Sequence, residues 1–139
     1  MAGNLGILVD TSGIIALLDQ SDRHHAAARE VFKTAALIVP ATILPEVDYL
    51  SSKYLGEPVA RAFLQDLTDG YFDFLPVDVS DLQQALKVMA RYQGVPLGLV
   101  DASLVALAER YQIQRILTLD RRHFSLIQPE TMDYLELLP

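Results

Sequence analysis

The sequence contains no cysteine. Disulfide bonds and thiolate zinc sites are therefore excluded, and we expect the protein to work in the reducing environment of the cytoplasm. Long apolar runs are also missing, since the longest near the start, Gly13–Leu18, is far too short to cross a bilayer. Residues Met1–Gly6 carry no positive side chain, so we expect no secretory signal and no membrane partner.

Basic residues are in the minority, with 11 Lys and Arg against 18 Asp and Glu and a net charge of -7. An acidic surface repels phosphates, which argues against a general nucleic-acid binder. It does not argue against a metal site that needs carboxylates. Bound divalent cations would locally reverse the sign of the field.

The length of 139 residues fits one domain, which we assign to residues 1–139. Hydrophobic residues make up 51% of the chain, so a packed globular fold is expected. We find no internal repeat, low-complexity stretch or linker.

Short apolar runs alternate with stretches of helical periodicity along the chain. The runs predict buried strands at 5–9, 37–39 and 115–119, an aromatic strand at 71–77 and an edge strand at 132–137. The intervening stretches predict helices, three of them capped by Asp22, Thr42 and Ser80. This alternation predicts an α/β fold with a parallel sheet covered on both faces.

Two acidic residues directly follow predicted strands. Asp10 comes after the first strand and Asp120 after the strand at 115–119. In open parallel sheets the ligand site lies at the carboxyl ends of the strands, so both side chains are candidates for it. Taken singly, each residue could equally be a helix cap or a turn residue.

Two more acidic residues fall in the first turns of predicted helices. Glu46 begins the third helix, where the helix dipole alone could account for a carboxylate. Asp101 begins the most apolar helix, where a charge is costly unless it caps the helix or binds a cation. Asp48 points to a different face from Glu46, and we expect it to be solvated.

A parallel sheet would bring Asp10, Glu46, Asp101 and Asp120 to one edge. Converging carboxylates raise one another's pKa unless a cation intervenes. Oxygen ligands without cysteine, and with His123 the only histidine close by in the sequence, suit Mg²⁺ or Mn²⁺. The adjacent His24 and His25 lack the spacing of a metal pair, and we expect them on a solvated face.

At these residues the sequence resembles the PIN-domain family, most closely the VapC-type toxins. The matching segments are Leu8-Val9-Asp10-Thr11-Ser12, Leu44-Pro45-Glu46-Val47, Gly98-Leu99-Val100-Asp101-Ala102-Ser103 and Thr118-Leu119-Asp120-Arg121-Arg122-His123-Phe124. The resemblance implies a three-layer α/β/α sandwich with a central parallel sheet, and Mg²⁺- or Mn²⁺-dependent cleavage of RNA. It also implies a homodimer and a cognate antitoxin partner.

The resemblance carries Asp10, Glu46, Asp101 and Asp120 over as catalytic metal ligands. It also suggests that Thr11 or Ser12 lies near the metal. Metal-activated water would then be the nucleophile, because the chain has no cysteine and no convincing Ser–His pair. Separately, Arg121 and Arg122 are candidates for phosphate contacts, although exposed charges on a turn explain them equally well.

Other classes fit the residues less well. A PIN-like module that binds metal or a partner without catalysis keeps the fold, but the intact acid set argues against it. A phosphorylation receiver would need adjacent acids after the first strand, where Asp10 stands alone. A haloacid-dehalogenase-type phosphatase would need an acid at the position of Ser12.

Overall fold

The computed structural model describes residues 4–139, and its centre is a five-stranded sheet. Every neighbouring pair of strands is parallel, as predicted. The strand order is β3-β2-β1-β4-β5. The strands are β1 (Asn4–Val9), β2 (Leu37–Pro40), β3 (Asp73–Leu75), β4 (Ile113–Leu117) and β5 (Glu136–Leu138). The order reverses between β1 and β4, and such a switch point is where open α/β sheets bind ligands.

Seven helices accompany the sheet over the described residues. They are α1 (Thr11–Leu18), α2 (His25–Thr34), α3 (Leu44–Leu55), α4 (Glu57–Thr68), α5 (Val79–Arg91), α6 (Leu99–Tyr111) and α7 (Arg121–Phe124). A short 3-10 turn, Ala41–Ile43, precedes α3. None of these helices combines the length and apolarity needed to cross a membrane.

Two separate hydrophobic cores lie on the two faces of the sheet. On β1, Leu8 packs into a core that α5 and α6 complete, with Val88 and Leu104 among its members. The neighbouring Ile7 packs into the other core, built with residues of the first four helices. Since successive side chains of a strand point to opposite faces, both faces are covered. The predicted α/β/α sandwich is confirmed.

Gly13 lets α1 lie unusually close to the sheet. A Cβ atom at this position would lie 2.6 Å from the carbonyl oxygen of Leu117 and 2.8 Å from Cγ2 of Val9. Any side chain would therefore push the start of α1 away from β1 and β4. Glycine here keeps the first turn of α1 against the strand ends.

All three of the predicted helix caps are wrong, beginning with those of α5 and α3. The cap of α5 is Asp78 rather than Ser80, in a capping box with Asp81. Both carboxylates accept backbone N–H groups there, which a serine hydroxyl cannot do as strongly. Thr42 lies inside the 3-10 turn, and its hydroxyl bonds to that of Ser103 at 2.8 Å. It therefore ties the start of α3 to α6 instead of capping a helix.

The second helix and the later strands also differ from prediction in their bounds. The N-cap of α2 is His24, and Asp22 instead accepts the backbone N–H of His24 at 2.7 Å. The fourth strand ends at Leu117, two residues earlier than predicted. Just beyond the strand, the backbone N–H of Thr118 still donates to the carbonyl oxygen of Leu138 at 2.8 Å, and its hydroxyl donates to Asp10. Asp120 therefore sits in a turn beyond the strand.

Candidate metal centre

A cleft of about 390 Å³ lies at the carboxyl ends of β1 and β4. The four acidic residues singled out in the sequence all line it. The complete lining is Asp10, Thr11, Ser12, Glu46, Gly98, Leu99, Val100, Asp101 and Asp120. The structure thus brings together side chains that are up to 110 positions apart in the chain (10 to 120). Asp48, two residues after Glu46, is exposed and is not part of the lining.

Asp10 forms the buried end of the cleft, with 4% of its surface exposed. Its Oδ1 accepts the backbone N–H of Gly13 at 2.8 Å and the hydroxyl of Ser12 at 2.7 Å. Its Oδ2 accepts the hydroxyl of Thr118 at 2.5 Å. Asp10 therefore caps α1 and faces the cleft at once, so the two interpretations of this residue do not compete.

Burial raises the pKa of Asp10 despite these three hydrogen bonds. Desolvation disfavours the charged carboxylate, and hydrogen bonds from Thr118, Gly13 and Ser12 only partly offset it. The negative charge of Asp101 raises the pKa further. A cation in the cleft would remove this electrostatic penalty.

Asp101 lies in the first turn of α6, with its Oδ2 3.3 Å from Nδ1 of His123. Burial is the largest cause of its raised pKa, and the hydrogen bond from His123 opposes it. The charges of Asp120 and Glu46 raise the pKa of Asp101 further. Both rim carboxylates therefore repel the charge of Asp101, and Asp101 in turn raises the pKa of Asp10, which is the mutual repulsion predicted from the sequence.

Glu46 and Asp120 form the open rim of the cleft. Glu46 is an exposed residue in the first turn of α3, where the helix dipole favours a carboxylate. Asp120 precedes α7, and its backbone N–H donates to the hydroxyl of Thr118 at 3.0 Å. These two side chains can therefore move towards a ligand more easily than Asp10.

The hydroxyls of Thr11 and Ser12 differ in their hydrogen bonding. The Ser12 hydroxyl donates to Asp10 and accepts the backbone N–H of Leu119 at 2.9 Å, so it holds α1 to the turn after β4. The Thr11 hydroxyl is buried and has no hydrogen-bond partner among the described residues. A buried polar atom without a partner is costly. This orphaned oxygen beside four carboxylates fits a hydrated divalent cation in the cleft.

Two residues that contact the cleft carboxylates were not predicted from the sequence. Thr118 holds Asp10, and a threonine at the end of a buried strand gives no sign of that role. His123 was noted as the nearby histidine but was not placed in the site. Its ring nitrogen and the carboxylate oxygens of Asp101 and Asp120 all lie within 4.8 Å of one another. The three-residue spacing of Asp120 and His123 on a helical turn is the signal that could have found it.

The basic residues considered in the sequence analysis lie in different places in the structure. Arg122 is 86% exposed at the rim, with its Nε 3.7 Å from Oδ1 of Asp120. Arg121 instead donates to the carbonyl oxygens of Leu137 and Pro139. His25 lies in a different groove, with its Nδ1 3.0 Å from the carbonyl oxygen of Ala16.

Comparisons with known proteins agree with this fold. The family model of the PIN domain matches residues 7–128. Ribonuclease VapC26 of Mycobacterium tuberculosis is 35% identical over 125 residues, which cover 88% of this chain and 93% of the relative.

Solved structures show the same fold at lower identity. The crystal structure of Mycobacterium tuberculosis VapC20, a toxin that cleaves the sarcin–ricin loop, matches with a TM-score of 0.81 and 21% identity. That match covers 96% of this chain and 99% of VapC20. A chain of DNA-bound VapBC from Salmonella typhimurium matches with a TM-score of 0.69 and 20% identity, over 99% of this chain and 97% of that one. The chain therefore belongs to the PIN-domain family, as its four acidic motifs predicted.

Proposed function

We propose that this chain is an endoribonuclease that hydrolyses RNA phosphodiester bonds with Mg²⁺ or Mn²⁺, and that it is the toxin of a type II toxin–antitoxin pair. The observation that carries the proposal is the convergence of Asp10, Glu46, Asp101 and Asp120 in one cleft. The similarity to Ribonuclease VapC26 over nearly the whole chain supports RNA as the substrate. The cytoplasm, which suits a protein without cysteine, also holds that substrate.

The cleft has the ligands that a hard divalent cation requires. Four carboxylates and the orphaned Thr11 hydroxyl offer oxygen atoms only, as Mg²⁺ and Mn²⁺ prefer. When bound, the cation would supply a low pKa for a bound water and charge stabilisation for the phosphate. Asp10 and Asp101 are the proposed core ligands, and Glu46 and Asp120 complete the set from the rim.

The protein's own contribution is to hold these carboxylates in place before substrate arrives. Hydrogen bonds from Gly13, Ser12 and Thr118 fix both oxygens of Asp10. A site that is already organised loses little free energy to rearrangement during the reaction, so electrostatic stabilisation should dominate the rate. The looser rim carboxylates leave the cleft open towards the phosphate.

RNA contacts at the rim fall to Arg122 rather than Arg121. Arg122 is almost fully exposed and close to Asp120, so its guanidinium can meet a phosphate beside the cleft. Arg121 holds the backbone of the last strand and is less available. From the sequence, both arginines were candidates for phosphate contacts. Their different hydrogen bonds in the structure favour separate roles.

An antitoxin is the second proposed partner, by analogy with the VapBC complex to which the fold is similar. A groove of about 660 Å³ between α1, α2 and the end of α4 is a suitable landing site. Leu17, Phe32 and Phe72 give it apolar walls, and Arg29 and Lys33 add positive charge. That combination complements an amphipathic segment with acidic side chains.

The third proposed partner is a second copy of this chain, in a homodimer. Val79, Leu82 and Leu86 project from α5 with 68%, 40% and 65% of their surfaces exposed. They fall at i, i+3 and i+7, so they form one apolar stripe. Stripes of this kind often mark contacts with another chain. The mass in solution, measured by light scattering, tests this assembly.

One assay tests the central proposal. The purified protein is incubated with tRNA, rRNA fragments and mRNA in Mg²⁺, Mn²⁺ or chelator, beside Asp10→Asn and the matched control Asp48→Asn. Asp48 lies on the same helix as Glu46 but outside the cleft, so its variant should cleave normally. Cleavage that survives chelator, or full activity of Asp10→Asn, would refute the proposal. Carboxylate-dependent Mn²⁺ binding without cleavage of any RNA would instead favour a non-catalytic PIN-fold module that acts within a complex.

A further inference from the structure

We propose that His123 is a ligand of the metal centre, and that its imidazole nitrogen makes the centre favour Mn²⁺ over Mg²⁺. The inference rests on the proposed metal site. It adds a nitrogen donor to a set that the sequence motifs supply entirely from carboxylates.

The distances around His123 suit a shared cation. Nδ1 of His123 lies 3.3 Å from Oδ2 of Asp101, and the possible ligand atoms of Asp101, Asp120 and His123 are all within 4.8 Å of one another. Neighbouring ligands of an octahedral ion with bonds of about 2.1 Å lie about 3 Å apart, and opposite ligands about 4.2 Å apart. The 3.3 Å contact suits neighbouring ligands, and the bound of 4.8 Å is slightly above the separation of opposite ligands, so a small side-chain movement would let the three residues share one ion.

Packing and hydrogen bonds of the neighbouring residues hold His123 in position. Phe124, the next residue, is 2% exposed and packs into the core with α5 and α6. The carbonyl of His123 accepts the backbone N–H of Leu126 at 3.1 Å, which closes the turn after α7. Because Phe124 anchors this short helix, the imidazole is held at the mouth of the cleft beside Asp101.

The nitrogen donor should raise the affinity for one cation more than for the other. Mg²⁺ takes oxygen ligands and keeps its waters, so an imidazole adds little to its binding. Mn²⁺ also prefers carboxylates, but as a first-row transition cation it binds an imidazole nitrogen more strongly than Mg²⁺ does. The ring nitrogen of His123 should therefore strengthen Mn²⁺ binding and leave Mg²⁺ binding nearly unchanged.

A different role for His123 predicts different results. If the ring only donates a hydrogen bond to Asp101, it orients that carboxylate for whichever cation binds. Its loss would then weaken Mg²⁺ and Mn²⁺ together. The ratio of the two affinities, and the atoms bound directly to Mn²⁺, distinguish a ligand from an orienting residue.

The test uses the full chain and Mn²⁺ alone as the probe. Pulsed electron paramagnetic resonance of the Mn²⁺-loaded protein detects nitrogen bound directly to the ion. The chain has three histidines, so His123→Gln is compared with the matched control His24→Gln, which lies outside the cleft. Calorimetry gives the Mn²⁺ and Mg²⁺ affinities of the same three proteins, and circular dichroism confirms that they are folded.

We expect nitrogen modulation in the wild type and in His24→Gln, and its loss in His123→Gln. The Mn²⁺ affinity of His123→Gln should fall about tenfold or more, with a much smaller change for Mg²⁺. A wild-type spectrum without nitrogen, or an equal loss of both affinities, overturns the role of His123 but leaves the proposed nuclease intact. No Mn²⁺ binding by the wild type overturns both. If His123→Gln fails to fold, a wild-type spectrum without nitrogen still overturns the role of His123. Nitrogen that persists in both His24→Gln and His25→Gln then assigns the signal to His123, since the chain has three histidines.

Discussion

Two regions of the molecule each gather four carboxylates, and they differ in what faces the charges. We call them the cleft cluster and the junction cluster, the latter lying where α5, α6 and the segment before β5 meet. The cleft cluster is Asp10, Glu46, Asp101 and Asp120, and the junction cluster is Asp78, Asp81, Glu109 and Glu130.

In the junction cluster, two guanidiniums of the chain pair with the four carboxylates. Arg91 donates to Glu109 at 3.0 Å and lies 2.8 Å from Glu130. Arg110 lies 2.7 Å from Asp81, a buried carboxylate of the α5 capping box. Each carboxylate therefore has a guanidinium partner, and half of the negative charge of the cluster is compensated within the chain.

The cleft cluster meets weaker partners. Asp10 is held by hydroxyls and a backbone N–H, and Asp101 by an imidazole. Burial raises the pKa of both Asp10 and Asp101, whereas hydrogen bonds from Ser80 and from the backbone of Asp81 lower the pKa of Asp78. Acidic residues that gather are therefore not enough to indicate a metal site. The absence of strong internal compensation is the feature that separates the cleft from the junction.

The largest expected effect is on catalysis, and it belongs to the cleft alone. Asp101→Asn should lower the cleavage rate by at least about 100-fold, the loss typical when one electrostatic stabiliser is removed. The fold should persist, because an amide of the same shape can still bond to His123. Initial cleavage rates and a thermal melt check both parts. A wild-type rate in this variant would mean that the cleft is not the site of hydrolysis.

At the junction cluster we expect a substitution to lower stability and to leave the cleavage rate unchanged. Glu109→Gln removes one charge from a buried pair, since the Glu109 side chain is 6% exposed and that of Arg91 is 25% exposed. Breaking a buried pair from one side should cost about 3 kcal/mol of unfolding free energy. Urea titration measures this loss, and the cleavage rate per folded molecule should not change. If that rate fell as far as in Asp101→Asn, the two clusters would not be functionally distinct.

The sequence predicted the cleft well because its determinants are local. Asp10 follows an apolar strand, and such a strand is identified by hydrophobicity alone. The first turn of α6 makes Asp101 conspicuous, because a charge in the most apolar helix demands a partner. The parallel sheet then brings these positions to one edge without any information on side-chain contacts.

What the sequence could not predict depends on contacts between distant residues. The bond from Thr118 to Asp10 joins residues 108 positions apart, and Thr118 lies just beyond the end of β4. The contact of His123 with Asp101 requires the buried Phe124 to fix α7. The junction cluster went unnoticed because each of its pairs joins side chains at least 18 positions apart.

Divalent cations should stabilise the protein through the cleft and not through the junction. A cation at 100 times its dissociation constant adds about 2.7 kcal/mol to the free energy of unfolding when it binds only the folded state. We expect a gain of this size with Mn²⁺ in the wild type and in Glu109→Gln, and little or none in Asp101→Asn. Thermal melts with and without Mn²⁺ provide the measurement. Equal stabilisation of all three proteins would place the bound cation elsewhere.

The pH dependence of stability should have opposite signs in the two clusters. The raised pKa of Asp101 means that its contribution is complete below the ordinary value of 3.8 and is lost as the pH rises through the raised pKa. The lowered pKa of Asp78 means that its contribution is present above 3.8 and is lost as the pH falls through the lowered pKa.

Without metal, Asp101→Asn should therefore be slightly more stable than the wild type at neutral pH and no more stable below about pH 4. Asp78→Asn should lose stability at neutral pH and little in acid. Urea midpoints across this range, measured in chelator, test both signs. A wild-type protein that matched Asp101→Asn at every pH would show that this carboxylate carries no electrostatic penalty.

The smallest expected effect concerns Arg122, whose guanidinium lies at the rim of the cleft. Arg122 lies 3.7 Å from Asp120 but is too exposed to neutralise it effectively, so we expect it to serve RNA instead. Arg122→Ala should weaken RNA binding by about 1 kcal/mol, or roughly fivefold, and should lower the slope of log affinity against log salt by about 0.7. Arg61→Ala removes another largely exposed arginine, which pairs with Glu57 on α4, away from the cleft, and provides the control. Binding curves at several salt concentrations, with Asp10→Asn in the background to prevent cleavage, separate the two variants. If both arginine variants shifted the curve alike, the effect would be one of net charge, and Arg122 would have no specific place at the rim.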